Sequence, residues 1–389
     1  MFRSRPKEPI TARCWLIPGL EPTDFFLNLR RQNVQYCVLR WFETLPQVAA
    51  GEDLDILVSD ESLLGLLEHT SRVYPDGQKI DVYSESGALA TDWSGIPYFP
   101  KKLSSFLLEN TVEGPAGASV PNPRAHFFSL AYHAVFHKGF GSGLPATQND
   151  RPETQNPDHD YRATLIRLRD SLGWIEPEIN LQGLADFLEE HDFFPTPDVL
   201  EFLATKNQFL SQILVRALQE ESQPDSGLSV FIVRESGLPH VSRVRQQLEL
   251  SGFEILKDIS LTSKQTFVVA SSSRGGNWTK GPYPRTGGQP GHLFVTADVF
   301  PLTNKKIGRG RYPFSTNLRV PETKQKIRDL INRQTNFLWH SNPIHSSDNV
   351  LSTSFLLSKL FGHEESDALY DTVRGAFSEV KAGYRGMEV

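Results

Sequence analysis

Asp53-Leu54-Asp55-Ile56-Leu57-Val58 is the stretch on which the first part of the chain turns. Leu54 to Val58 has the composition of a buried strand, and two aspartates at i and i+2 of a strand project to the same side. Working outward, residues 34–42, rich in β-branched and aromatic side chains, predict a strand before the pair. Lys79-Ile80-Asp81-Val82-Tyr83 predicts a third strand with alternating faces, and the leucine spacing in residues 61–73 predicts a helix between them. Asp53, Asp55 and Asp81 would then gather three carboxylates. Nucleotidyl transfer needs such a group, because divalent cations must bind the triphosphate and polarise the attacking hydroxyl. Exposed acids at strand ends are the plainer alternative.

Beyond this region, residues 146–159 are polar and rich in Pro and Asn, as in an exposed loop. From 161 to 218 the pattern is helical, interrupted at Pro177 and at Pro195-Thr196-Pro197. Residues 220–227 have linker composition. A strand at 228–233, a helix at 241–250 and strands at 253–256 and 265–269 are predicted next. The division expected is 1–145, a helical connector 146–227, a second α/β module 228–365 and a tail 366–389.

The chain has 389 residues, enough for two or three domains. No run of eighteen apolar residues marks a membrane span. The basic start, Met1-Phe2-Arg3-Ser4-Arg5-Pro6-Lys7, lacks the apolar stretch of a secretory signal. Two cysteines, Cys14 and Cys37, make no disulfide framework and no zinc spacing, so a cytoplasmic location is expected. With a net charge of −6 and no basic run interleaved with aromatics in the first half, nucleic acid is not an expected partner. Basic residues do gather between Lys305 and Arg333, as a phosphate-binding surface or a solvated face.

The strand ending Leu39-Arg40-Trp41, the acidic pair Asp53 and Asp55, and Asp81 together resemble the nucleotidyltransferase superfamily over residues 34–83. The resemblance implies a mixed α/β domain that binds Mg2+ or Mn2+ through Asp53, Asp55 and Asp81 and takes ATP or another nucleoside triphosphate. Where that family has a Gly-Ser turn for the triphosphate, this chain has Arg40-Trp41, and Arg40 becomes the candidate phosphate contact.

His126, His133 and His137 fall within about 40° of one another on a helix. Metal binding by His133 and His137, a cleft-lining face with Lys138 and Arg124, and ordinary helix residues are the three readings of that face.

Near the C-terminus lies Asn342-Pro343-Ile344-His345-Ser346-Ser347-Asp348-Asn349. It resembles the nucleoside diphosphate kinase motif Asn-x-x-His-Gly-Ser-Asp, and the likeness extends over about 228–362. It implies a ferredoxin-like α/β fold, His345 as phosphoryl acceptor, Ser347 and Asp348 as its support, Asn342 as a nucleotide contact, and a homo-oligomer through this module. Arg234 stands for the family's phosphate-binding Lys, Ser346 for its Gly, and Leu356 for the Glu that orients the catalytic His. Between the strands, Arg274-Gly275-Gly276 to Lys280 and on to Gly288 could bring backbone N–H groups and cations to an anion. Arg309, Arg311 and Arg328 are further phosphate candidates.

Together these features lead to an α/β multidomain nucleotide-dependent transferase, nucleotidyl or phosphoryl, acting on a small molecule or carbohydrate precursor. A protein-modifying nucleotidyltransferase and a nucleotide-binding or assembly protein built from degenerate enzyme modules are the rivals.

Overall fold

The structure, a computed structural model, describes residues 12–49, 51–73, 77–151, 159–220, 225–276, 278, 287–333 and 340–385. The chain divides into two compact α/β units, 1–195 and 196–389.

The first unit runs β1 (Arg13–Leu16), α1 (Pro22–Arg31), β2 (Tyr36–Val38), β3 (Leu54–Val58), α2 (Leu63–Leu67), β4 (Thr70–Ser71) and β5 (Lys79–Ser84). It continues with α3 (Lys101–Glu109), a hairpin of β6 (Thr111–Glu113) and β7 (Ser119–Pro121), then α4 (Pro123–Tyr132), α5 (Tyr161–Ser171) and α6 (Leu181–Glu190). The main sheet has order β2-β3-β5-β1-β4, with β3 and β5 parallel and the other pairs antiparallel. Its two faces differ in chemistry. Leu54, Ile56, Val58, Ile80 and Val82 pack with Phe25, Phe26 and Leu29 of α1 into an apolar core, each such burial stabilising by roughly 1.5–3 kcal/mol. The alternate residues, Asp55, Asp81, Tyr83 and Arg13, take the other face. The helix expected over 61–73 is shorter: it ends at Leu67, and Thr70 and Ser71 pair with β1.

α4 starts at Pro123 with the Asn122 side chain accepting from the Ala125 N–H, a standard N-cap with Pro in the first turn. From His133 to Lys138 the coil widens to a π-helix, a geometry concentrated at functional sites.

The second unit contains α7 (Pro197–Ala204), α8 (Gln208–Glu220), β8 (Leu228–Arg234), α9 (Val241–Leu250), β9 (Glu254–Ser260), α10 (Ser263–Ser272), β10 (Pro290–Ala297), α11 (Arg319–Asn332), β11 (Ile344–Ser346), α12 (Val350–Phe361) and α13 (His363–Arg385). Its four strands are antiparallel in the order β11-β8-β10-β9. One face buries Phe231, Val233, Phe294 and Ile344 against Val244 and Leu248 of α9 and Val320 and Ile327 of α11. α10 and α12 contact the sheet, and α12 also meets α7.

Three expectations need correction. Residues 265–269 are not a strand but lie in α10, because Thr262 and Gln265 form a reciprocal capping box that starts a helix. Most of the expected tail is α13, whose Tyr370 donates to the Val350 carbonyl and whose Arg374 pairs with Asp225. The helical stretch 146–227 is not a separate connector; α5 and α6 belong to the first unit and α7 and α8 to the second.

Candidate functional sites

In the first unit, the parallel register sets Asp55 opposite Asp81, and Arg13 opposite Asp81 on the other side. Asp53 sits two residues before Asp55 at the mouth of the strand. The structure therefore brings the three predicted carboxylates to one sheet face.

Cations are there too, and two of them, Arg13 and Lys79, were not singled out from the sequence. Arg13 holds both oxygens of Asp81 at 2.9 Å and reaches Asp53 Oδ2 at 2.8 Å. Lys79 Nζ lies 3.3 Å from the same Asp53 oxygen. Arg40 Nη2 pairs with Asp55 Oδ2 at 2.7 Å, and both side chains are buried. Among the described residues, no group of three or more His, Cys, Asp or Glu side chains is placed to hold a metal ion. The pairings of Arg13 and Lys79 with Asp53 and of Arg40 with Asp55 all use Oδ2, so Oδ1 of each carboxylate would be the ligand atom for a cation. Two carboxylates completed by substrate phosphate oxygens is a normal magnesium site, so the residues present fit Mg2+ or Mn2+.

Arg40 carries the more telling feature. Its Nη1 is buried with no acceptor among the described residues. A buried unsatisfied donor is costly, and more so when charged. An anionic oxygen at that position removes the cost. Asp55 is affected in the opposite sense: burial pushes its carboxyl up to about 7 against the pull of Arg40, and Asp53 and Asp81 push the same way. Arg40 itself stays charged, since Asp55 and the surrounding tyrosines outweigh its burial.

The predicted histidine face lies behind this site. His133 Nδ1 meets the Tyr98 hydroxyl at 2.5 Å and its Nε2 the Tyr161 hydroxyl at 3.1 Å. Burial lowers its pKa well below 6.5. Both nitrogens are engaged by phenols, so His133 is a buttress rather than a metal ligand. His137 donates from Nε2 to the Tyr98 carbonyl at 3.0 Å, which leaves Nδ1 as a lone pair with no donor among the described residues. Burial lowers His137 to about 3 and His126 to about 4, so both are neutral. Tyr98 stacks on His137 and lies tilted against Tyr83, each at 4.0 Å, and Arg40 lies over its ring. Lys138 is exposed and its charge is felt at Asp55.

In the second unit, His345 on β11 pairs in register with Ile232 of β8, on the sheet face opposite the apolar core. Its crevice is lined by Asp198 of α7, Ser272 of α10, and Ser352, Phe355 and Leu356 of α12, and has room for about one water. Burial lowers the His345 pKa well below 6.5, and Arg274, Lys324, Arg328 and Arg234 reinforce this. Leu356 lines the crevice but cannot orient the imidazole. The carboxylate beside it is Asp198, whose Oδ2 lies 3.9 Å from His345 Nε2, beyond hydrogen-bond distance, and which accepts the Arg274 backbone N–H.

Other predicted residues have different work. Ser347 Oγ accepts from the Val230 N–H at 2.9 Å and from Thr353 at 2.8 Å, joining strand to helix. Asp348 is held by Lys324 at 2.6 Å and accepts from Ser346, so neither it nor Ser347 is hydrogen-bonded to His345. Asn342 Oδ1 is buried without a partner among the described residues. Arg234 gives its side-chain donors to the Gly288 and Trp278 carbonyls, and burial lowers its pKa to about 9. Arg274 lies over the Trp278 ring, and Arg328 donates to the Ile344 carbonyl at 3.0 Å. Arg309 and Arg311 are exposed on a loop. Lys280 lies outside the described residues.

No protein-family model, curated protein or solved structure matches this chain.

Proposed function

We propose that this protein is a nucleotide-dependent transferase whose chemistry belongs to the carboxylate face of the first unit. The observation that carries the reading is the buried, unsatisfied Nη1 of Arg40 beside Asp55, in front of Asp53 and Asp81. A cation held by Oδ1 of Asp53 and of Asp55 would neutralise phosphate charge and polarise an attacking hydroxyl. Arg40 donates from Nη1 to a phosphate oxygen while Nη2 keeps Asp55 in place. Asp55, with its pKa near neutrality, gives up its proton as the cation binds. Arg13 fixes Asp81 and the loose end of Asp53, and Tyr98 and His133 keep the Arg40 wall rigid. The acceptor proposed is a small molecule or carbohydrate precursor, and nucleotidyl or phosphoryl groups both suit the site.

The four-stranded order of the second unit, 4-1-3-2 by chain position, is that of a ferredoxin-like sheet. It supports a kinase-type module in which Asp198 orients His345 as phosphoryl acceptor, provided the crevice opens.

Incubation with α- and γ-labelled ATP, Mg2+ and a panel of acceptors tests both parts. Pyrophosphate release lost in Asp55→Asn supports nucleotidyl transfer; acid-labile γ-label lost in His345→Ala supports phosphohistidine. Label appearing on a protein partner favours the protein-modifying reading. A second reading, binding without turnover, is favoured by the ion pairs that already occupy Asp81 on both oxygens. It predicts saturable nucleotide binding and no label transfer.

A further inference from the structure

Trp41 stands where a glycine would be comfortable. Its φ is 52°, in the left-handed region that bulky residues avoid. Such strain persists where the surroundings enforce it, and it concentrates at ligand-binding positions. The indole is only partly buried. One face is covered by the imidazole of His159, nearly parallel at 14° with centroids 4.1 Å apart. Tyr161 meets the indole edge-on at 5.3 Å.

Two links tie this group to the phosphate site. Trp41 directly follows Arg40, and the Tyr161 hydroxyl lies 3.1 Å from His133, which reaches Tyr98 beneath Arg40. His159 is held over the indole by Glu52, Nε2 to Oε2 at 3.5 Å, and Glu52 is the residue before Asp53. That contact is long and partly solvated, so it holds the imidazole weakly. The chain's own imidazole thus occupies the indole as a flat nitrogen heterocycle would.

We infer that Trp41 is the stacking platform for the heteroaromatic base of the donor nucleotide, with His159 as the occupant that the base displaces. The inference rests on the phosphate site proposed above. Arg40 takes a phosphate oxygen, and the residue next to it takes the base. The side chain that replaces the family's small turn residue therefore adds base recognition at the point where the turn's backbone cradle is lost.

The test compares Mn2+-dependent binding of the four common ribonucleoside triphosphates with that of inorganic tripolyphosphate, using the full chain. Wild type should bind at least one nucleotide about tenfold or more tightly than tripolyphosphate, the range for one stacked base. Trp41→Gly, which also relaxes the backbone, should bring that ratio near one with tripolyphosphate affinity unchanged. His159→Ala should raise the ratio, because no imidazole competes for the indole. A wild-type ratio near one, a ratio preserved in Trp41→Gly, or a ratio lowered in His159→Ala overturns the inference while leaving the phosphate site standing. Absence of tripolyphosphate binding to wild type overturns the phosphate site and the inference with it.

Discussion

Arg40 Nη2 donates to Asp55 Oδ2 at 2.7 Å, while the other terminal nitrogen of that guanidinium has no acceptor among the described residues. One buried cation thus both fixes a carboxylate and keeps a donor in reserve. Removing it leaves Asp55 buried without its counter-charge. Arg40→Met should lower stability in urea by about 3–5 kcal/mol, and Arg40→Met with Asp55→Leu should recover most of the loss. A single variant as stable as wild type would contradict a buried pair.

Proton linkage gives the acidic face a pH dependence. A cation bound there would compete with the proton on Asp55, whose carboxyl is pushed up to about 7 by burial. Mn2+ affinity should therefore rise with pH from about 6 to about 8 and level off above that. The same raised pKa means the folded state binds more protons than the unfolded one between 3.8 and about 7. The Asp55 contribution to stability accordingly declines as pH rises through that window. Mn2+ titrations at half-unit pH steps check the first statement; a flat profile contradicts it.

Histidines act in the opposite direction. His133, His137 and His345 have folded pKa values below 6.5, so below that pH the unfolded chain binds more protons. Stability should fall as pH drops below 6.5. Tyr98→Phe, which removes the hydroxyl that meets His133 Nδ1, should cost about 1–3 kcal/mol at pH 7.5. Chemical denaturation at pH 7.5 and 5.5 measures both effects.

The acidic triad was legible because strand alternation is local. Asp53, Asp55 and Asp81 follow from period two and from apolar neighbours that fix which face is buried. The cation on Asp53 and Asp81 was not legible: Arg13 is 40 residues from Asp53 and 68 from Asp81, and only the sheet order joins them. Asp198 reaches His345 from a helix far earlier in the chain. The histidine stripe was visible as periodicity, but burial against Tyr98 and Tyr161 turned it into support. Residues 265–269 were misread because Thr-Phe-Val-Val has strand composition, although the capping pair Thr262 and Gln265 was already present in the sequence.

The second unit carries its own buried charge group. Burial pushes the Glu201 carboxyl up to about 8, with Asp348 adding to it, while Lys324 pulls the other way. Glu201→Gln should leave stability at pH 6 unchanged, since a protonated carboxyl and an amide are near-isosteres and either accepts from Asn349. Lys324→Met should cost about 3 kcal/mol by stranding Asp348. Urea midpoints of the two variants distinguish them.

The most direct test of the carboxylate face is an electron paramagnetic resonance titration of Mn2+ with ATP, comparing wild type with Asp55→Asn. The account predicts one saturable Mn2+–ATP site in wild type and affinity at least about tenfold weaker in the variant, because a carboxylate ligand has become a neutral amide. Equal affinity in the two proteins, or no saturable site in wild type, would contradict it.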